Sequence, residues 1–236
     1  MKSLLWQIPF WYRLLRIVVN IVARVVLGFK VRGWRVVPKT GPVIVAANHR
    51  RFVDPIVVSM ATPRWVKWMG KREAVRLRPF AWVLYGIGAF PVDRSGGGRA
   101  ALRLSLKMLE DGEALGIFPE GGRQKEDFGH ATPKSGVSML AVRSGAPVVP
   151  VFVGNFPSVK GRLRGERLRV IVGEPFYPAK ETRGSAAYQA FAREVLEKIY
   201  ALDPERPVEV DQRSYDNPYD SSYELTEKSE SKESGE

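Results

Sequence analysis

The chain has 236 residues, 44% of them hydrophobic, which is enough for one folded domain, and it has no cysteine, which excludes disulfides, cysteine-ligated metals and a thiol nucleophile. Its net charge of +12 is uneven, because residues 203–236 contain 11 acidic and 4 basic residues and the preceding part contains 14 acidic and 33 basic residues. This basic excess predicts an anionic partner, which could be an anionic membrane surface, a phosphorylated substrate or nucleic acid.

Residues 1–29 form the first predicted element, a helix from Pro9 onwards with one narrow polar stripe. The stripe consists of Arg13, Arg16, Asn20 and Arg24. No window of 18 residues is free of charge, so a spanning helix is not expected, and arginines interrupt the apolar region that a signal peptide needs. We predict an amphipathic helix that anchors the protein at a membrane surface, with packing on the protein's own core as the alternative.

Strand and helix patterns alternate between residues 30 and 202. Short apolar runs bounded by turn residues predict strands at 41–47, 89–93, 114–119, 146–154 and 168–176. Leucine spacing and stop signals predict helices at 98–110, 135–144 and 185–202. This alternation predicts an α/β domain over residues 30–202, with a largely parallel central sheet flanked by helices.

Two further segments have unusual composition. Residues 77–90 carry no charge after Arg78 and predict either a membrane-contacting segment or a buried core helix. Residues 203–236 are acidic, rich in Ser and Glu and poor in aliphatic residues, and predict a disordered tail.

The sequence NHRRFVDP, residues 48–55, places a histidine directly after a predicted strand. Asp54 precedes Pro55, which predicts a helix with Asp54 as its N-cap and Pro55 as its first residue. His49 and Asp54 can then meet in a loop at the carboxyl end of a strand, where open α/β sheets bind ligands. A carboxylate on one imidazole nitrogen leaves the other nitrogen as a general base, although an isolated His near an Asp is more often a local hydrogen bond.

Three later motifs follow in order: GAFPVDR (88–94), FPEGGRQ (118–124) and VVPV (148–151). Together with NHxxxxD they resemble the glycerolipid acyltransferases, above all the PlsC-like 1-acyl-sn-glycerol-3-phosphate acyltransferases, over roughly residues 30 to 175. The resemblance implies acyl transfer from acyl-CoA or acyl-carrier protein to the sn-2 hydroxyl of 1-acyl-sn-glycerol 3-phosphate. The product would be phosphatidic acid, and no cofactor is expected besides the thioester cosubstrate.

By this resemblance His49 is the general base and Asp54 is its orienting partner. A histidine suits the removal of a proton from the attacking hydroxyl, and the thiolate leaving group has a pKa of about 8.5 and needs no strong acid. The sequence contains neither a cysteine nor a GxSxG elbow, so direct transfer is favoured over an acyl-enzyme. A metal is not expected, because no further His or carboxylate lies at ligand spacing.

The resemblance also implies residues that bind the acceptor's phosphate. These are Arg94 and Arg123, because a guanidinium forms two parallel hydrogen bonds with phosphate, and Lys71 in GKREA (70–74) is a weaker candidate. The supporting loop is expected to consist of Glu120, Gly121 and Gly122. Two positions depart from the family pattern and bear on acceptor identity: Arg51 replaces a small hydroxyl residue, and Gly122 replaces Thr.

A lipid acceptor and product imply a peripheral or monotopic protein on the cytoplasmic face of the cell membrane. The expected partners are lysophosphatidate, the acyl thioester, an anionic membrane surface and, as one alternative donor, acyl-carrier protein. Nucleic acid is not expected, because aromatic residues interleaved with basic ones are not evident beyond the N-terminal helix. Two alternatives stay open: a different acceptor (another lysophospholipid, glycerol 3-phosphate or a lipid amine), or a non-catalytic basic module that binds anionic membranes or nucleic acid.

Overall fold

A computed structural model describes residues 10–71, 88–92, 98–124 and 132–203 of the chain. The apolar segment predicted at 77–90 therefore falls largely outside the described residues, as does all of the acidic tail after Asp203.

Seven strands and six helices are described, and they include every strand and helix predicted between residues 30 and 202. The strands are β1 (Lys30–Arg32), β2 (Val43–Ala47), β3 (Val66–Lys71), β4 (Ala89–Val92), β5 (Ala114–Ile117), β6 (Val148–Val153) and β7 (Arg169–Val172). The helices are α1 (Phe10–Leu27), α2 (Asp54–Ala61), α3 (Arg99–Glu110), α4 (Gly136–Ser144), α5 (Val159–Leu163) and α6 (Gly184–Tyr200), with a 3-10 turn at Trp34–Val36. The strand predicted at 168–176 is shorter, because it ends at Val172.

The strands form one sheet in the order β1-β7-β6-β2-β5-β3-β4. Strands β6, β2, β5, β3 and β4 are parallel, whereas β7 pairs with β6 in the antiparallel direction and β1 runs parallel to β7. The largely parallel sheet is therefore confirmed. We call the edge at which the five parallel strands end the carboxyl edge; because β1 and β7 are reversed, these two strands begin there.

Helices cover both faces of the sheet. All five residues of β2 and all six of β6 are buried, which is typical of strands covered on both sides. Side chains alternate along β2: Val43 and Val45 join an apolar cluster with α2, and Ile44 and Ala46 join a second cluster with α4 and α6. The two clusters fix the central strands and thereby the loops at the carboxyl edge.

Candidate active site

His49 lies directly after β2 at the carboxyl edge, and its ring meets Asp54. The His49 Nδ1 and Asp54 Oδ2 atoms are 3.1 Å apart. Because a carboxylate only accepts, Nδ1 carries a proton in this pair, and in the neutral imidazole Nε2 is then the nitrogen with the lone pair. The side chain of Asp54 is 1% exposed and that of His49 is 17% exposed, so the carboxylate is shielded while the imidazole can be reached.

Asp54 does not cap helix α2 as predicted. It is the first helical residue, and the residue in the cap position is Val53, which makes no side-chain hydrogen bond. The Asp54 carboxylate instead faces back toward the preceding loop, where Oδ2 accepts hydrogen bonds from the amides of Arg50 and Arg51, each at 2.6 Å. The short loop folds around this carboxylate, which is why the N-cap prediction was wrong and the contact with His49 forms.

Glu120, in the loop after β5, ties two distant parts of the chain to the histidine. Its Oε2 accepts a hydrogen bond from the His49 amide at 2.8 Å, and its Oε1 accepts one from the Tyr200 hydroxyl at 2.6 Å. Burial raises the pKa of Glu120 above its ordinary value of 4.5, and these two hydrogen bonds offset part of that rise. Gln124 closes the loop further, because its backbone N–H donates to the His49 backbone carbonyl at 2.8 Å.

The His49 ring also has a fixed orientation because it lies in a stack of three aromatic rings. Its centroid is 3.9 Å from that of Phe118 with an interplanar angle of 14°, and Phe118 is 4.8 Å from Trp68. The Trp68 indole donates to the Ser59 hydroxyl on α2 at 2.8 Å. At Gly116 a Cβ would lie 2.6 Å from the Trp68 ring, so only glycine lets this ring lie over β5.

The predicted phosphate ligands are only partly described. Arg94 lies outside the described residues. Lys71 is the last residue of β3, so its backbone reaches the carboxyl edge, but its side chain is not described. Arg123 is exposed in the loop that carries Glu120, one residue before Gln124. Their phosphate-binding role stays a prediction.

The two glycines of the predicted supporting loop differ from each other. Gly121 has φ +71°, and a Cβ there would lie 2.8 Å from the Lys134 side chain, so this position requires glycine. Gly122 is exposed and would have open space around a Cβ. A larger residue at Gly122, such as the Thr of the family pattern, would therefore meet no steric obstacle in the described part of the chain.

Sequence reasoning missed a cleft beside the pair. A cavity of about 280 Å³ is lined by Arg50, Arg51, Asp54, Gln124, Gly154, Asn155 and Phe156. Arg50 donates to the Asn155 side-chain oxygen at 2.9 Å, and the Arg51 guanidinium lies 5.0 Å from the centre of the Phe156 ring. Arg51, which differs from the family pattern, lies in this cleft. The Phe156 ring that it contacts is more than 100 residues away in the sequence, so the sequence alone could not predict the cleft.

The described residues contain no group of three or more His, Cys, Asp or Glu side chains that could hold a metal ion. The polar groups around His49 are instead arranged to orient one imidazole. This arrangement suits proton transfer to and from a hydroxyl.

The comparisons with known proteins agree with the motifs. Residues 28–154 match the family model described as Acyltransferase. The chain is 30% identical to the 1-acyl-sn-glycerol-3-phosphate acyltransferase of Bacillus subtilis over 184 residues, 75% of this chain and 90% of that protein. It is also 30% identical to the Streptococcus pneumoniae and human (beta) enzymes of that name, with 56% of this chain aligned to 49% and 48% of those proteins.

A solved structure has the same fold. The crystal structure of the 1-acyl-sn-glycerophosphate acyltransferase PlsC from Thermotoga maritima superimposes with a TM-score of 0.63 at 21% identity. The alignment covers 84% of this chain and 81% of that one. The fold, the family model and the relative aligned over nine tenths of its length all support one assignment: this chain belongs to the PlsC-like glycerolipid acyltransferase family.

Proposed function

We propose that the protein transfers a fatty acyl group from an acyl thioester to the sn-2 hydroxyl of 1-acyl-sn-glycerol 3-phosphate, producing phosphatidic acid. The observation that carries this proposal is the 3.1 Å contact between His49 and the buried Asp54 at the carboxyl edge. The names of the relatives supply the acceptor. The candidate donors, acyl-CoA and acyl-carrier protein, come from the resemblance of the motifs to the family.

The proposed reaction is a direct transfer. His49 Nε2 removes the proton of the acceptor hydroxyl as its oxygen attacks the thioester carbonyl, forming the new C–O bond. The C–S bond then breaks, and the imidazolium returns the proton to the departing thiolate. Asp54 stabilises the imidazolium and keeps Nδ1 protonated, so that Nε2 accepts the proton in each turnover.

Several cations are candidates for binding the acceptor's phosphate. Arg123 and Arg94 remain the proposed ligands by motif, with Lys71 as a weaker one. Arg50 and Arg51 line the cleft that adjoins Asp54 and add two guanidinium groups within the same loop. A guanidinium can bind phosphate with two hydrogen bonds, which suits a phosphorylated acceptor better than an uncharged one.

We further propose peripheral or monotopic binding at the cytoplasmic face of the cell membrane. No helix among the described residues is long and apolar enough to cross a bilayer. Helix α1 nevertheless exposes large aliphatic side chains, including Val25 at 70% exposure. The boundary predicted at residue 29 lies within the core, since Phe29 is buried and Leu27 packs against the same cluster. A truncation that removes only the anchor must therefore end earlier.

An acceptor panel tests the substrate. Purified protein should acylate lysophosphatidate faster than monoacylglycerol, which lacks the phosphate, and faster than other lysophospholipids or glycerol 3-phosphate. Arg123→Ala and Arg94→Ala should raise the KM for lysophosphatidate about 10- to 150-fold, since a charge-assisted hydrogen bond contributes about 1.5–3 kcal/mol. The KM for the acyl donor should change less.

The exposed Arg143 on α4 provides the matched control, since Arg143→Ala removes an equal charge elsewhere. Equal rises in both KM values, or a fall in kcat alone, would contradict the phosphate role. If the protein acylated another acceptor faster than lysophosphatidate, that acceptor would be the substrate and the proposal would be wrong.

A further inference from the structure

Helix α5 exposes apolar side chains in an unusual way. Val159 and Leu163 are 81% and 85% exposed, and because they are four residues apart they lie on the same side of the helix. Basic residues are frequent in the segment that carries this apolar pair: residues 158–169 contain five Lys or Arg residues and one Glu. Exposed aliphatic residues on a helix that also carries exposed cations are typical of surfaces that lie on a membrane.

This helix is joined to the end of α1, which exposes a second set of aliphatic residues. That set consists of Ile17, Val18, Ile21, Val22, Val25 and Val26, each about half exposed or more. The Arg162 guanidinium on α5 donates to the Val25 carbonyl at 3.3 Å. The Leu168 amide donates to the Leu27 carbonyl at 3.0 Å. We call these six exposed residues of α1, together with Val159 and Leu163 of α5, the α1/α5 patch.

The sheet topology places this patch beside the candidate active site. Because β1 and β7 are reversed, the end of α1 before β1 and the segment before β7 both lie at the carboxyl edge. The Gly154 amide donates to the Arg169 carbonyl at 2.9 Å, which fixes the start of β7 next to the end of β6. Asn155 and Phe156, which line the cleft, precede the first residue of α5 by only a few positions.

We propose that the α1/α5 patch binds an anionic lipid bilayer, with Val159 and Leu163 inserted below the headgroups and the exposed Lys160 and Arg164 at the phosphates. Charge complementarity favours this occupant, since these two exposed cations lie within or at the C-cap of the short helix that carries the apolar pair, whereas the Arg162 guanidinium holds α5 to α1. Helix α5 is thus a second membrane contact, separate from the N-terminal helix. It holds the carboxyl edge, and with it His49, against the bilayer surface.

This contact also sets how a lipid acceptor reaches the site, which rests on the proposed function: the acceptor would move sideways from the bilayer into the site without crossing water. Its phosphate would then stay at headgroup level, close to the arginines of the cleft. Loss of the α5 contact should therefore reduce activity on vesicle-borne acceptor, and leave activity on a dissolved short-chain acceptor unchanged.

Vesicle co-sedimentation with the full-length protein tests the patch. The double variant Val159→Gln/Leu163→Gln should bind phosphatidylglycerol-containing vesicles about 10- to 100-fold more weakly, because two aliphatic side chains no longer leave water. Lys160→Gln/Arg164→Gln should weaken binding about 30-fold on these anionic vesicles and leave binding to neutral phosphatidylcholine vesicles unchanged. Tyr177→Asn is the matched control, since Tyr177 is 63% exposed and follows β7 at the opposite edge of the sheet.

Unchanged thermal unfolding of each variant would show that the fold is intact, and any variant that unfolds early is replaced by Val159→Ser/Leu163→Ser. Wild-type binding by a folded α5 variant would overturn the membrane role, whatever the enzymatic activity. Failure of wild-type protein to acylate any acceptor would instead overturn the proposed function and leave the binding result in place. A loss of activity on dissolved short-chain lysophosphatidate equal to that on vesicles would overturn the sideways route.

Discussion

Replacing His49 with Ala should reduce kcat by about 10²- to 10⁴-fold, the range expected for the loss of a positioned general base. Asp54→Asn should also reduce kcat severely, because the Asp54 carboxylate orients the imidazole and accepts hydrogen bonds from the backbone amides of Arg50 and Arg51. Steady-state acyl transfer to lysophosphatidate would measure both. Thermal unfolding should change little in His49→Ala, because the His49 side chain is partly exposed. Among the described contacts, its one polar side-chain partner is Asp54.

The chain contains one other histidine, His130, and this supplies the control. His130→Ala should retain wild-type turnover. If His49→Ala kept near-normal activity in protein purified away from other acyltransferases, the general-base mechanism would be wrong.

Replacing Glu120 with Ala should lower the free energy of unfolding by about 2–6 kcal/mol, since two buried hydrogen bonds lose their acceptor at about 1–3 kcal/mol each. The same change releases the His49 backbone, so turnover should fall even in the folded fraction. Urea unfolding would measure the first effect, and assays well below the unfolding midpoint the second. Glu181→Ala, at an exposed glutamate, should change neither.

The pH dependence of Glu120→Gln separates charge from size. Burial raises the pKa of Glu120 above 4.5, so the folded state holds this proton more tightly than the unfolded chain does. The stability of the wild type relative to Glu120→Gln should therefore be greatest below pH 4.5 and should decrease as the pH rises through the raised pKa. A difference that grew with pH would contradict the dominance of burial over the two hydrogen bonds.

The sequence predicted the parts of the fold that depend on local patterns. Runs such as VIVAA in β2 are buried along their whole length, and the strand-to-helix loop brings His49 to Asp54 as expected. The α/β alternation also placed NHxxxxD, GAFPVDR, FPEGGRQ and VVPV on or after parallel strands, which share one edge. These features follow from periodicity and turn residues over a few positions.

Other features could not be predicted, because they depend on contacts between distant residues. Tyr200 reaches Glu120 across 80 positions, and no pattern near either residue signals the pair. Strand β1 has three residues and helix α5 has five, which is too short for a reliable period. The reversal of β1 and β7 likewise follows from how the chain crosses the sheet. The N-cap assignment of Asp54 failed because the loop amides compete for the same carboxylate oxygen.

Direct acyl transfer can be tested by following thiol and labelled phosphatidic acid in one sample, with purified protein, acyl thioester and vesicle-borne lysophosphatidate. Direct transfer with His49 as the base predicts one thiol released for each phosphatidic acid formed, and no thiol when the acceptor is absent. Intact-mass spectrometry of protein held with donor alone should show no added acyl group. Rapid thiol release without acceptor, an acylated protein, or no phosphatidic acid from either acyl-CoA or acyl-carrier protein would contradict it.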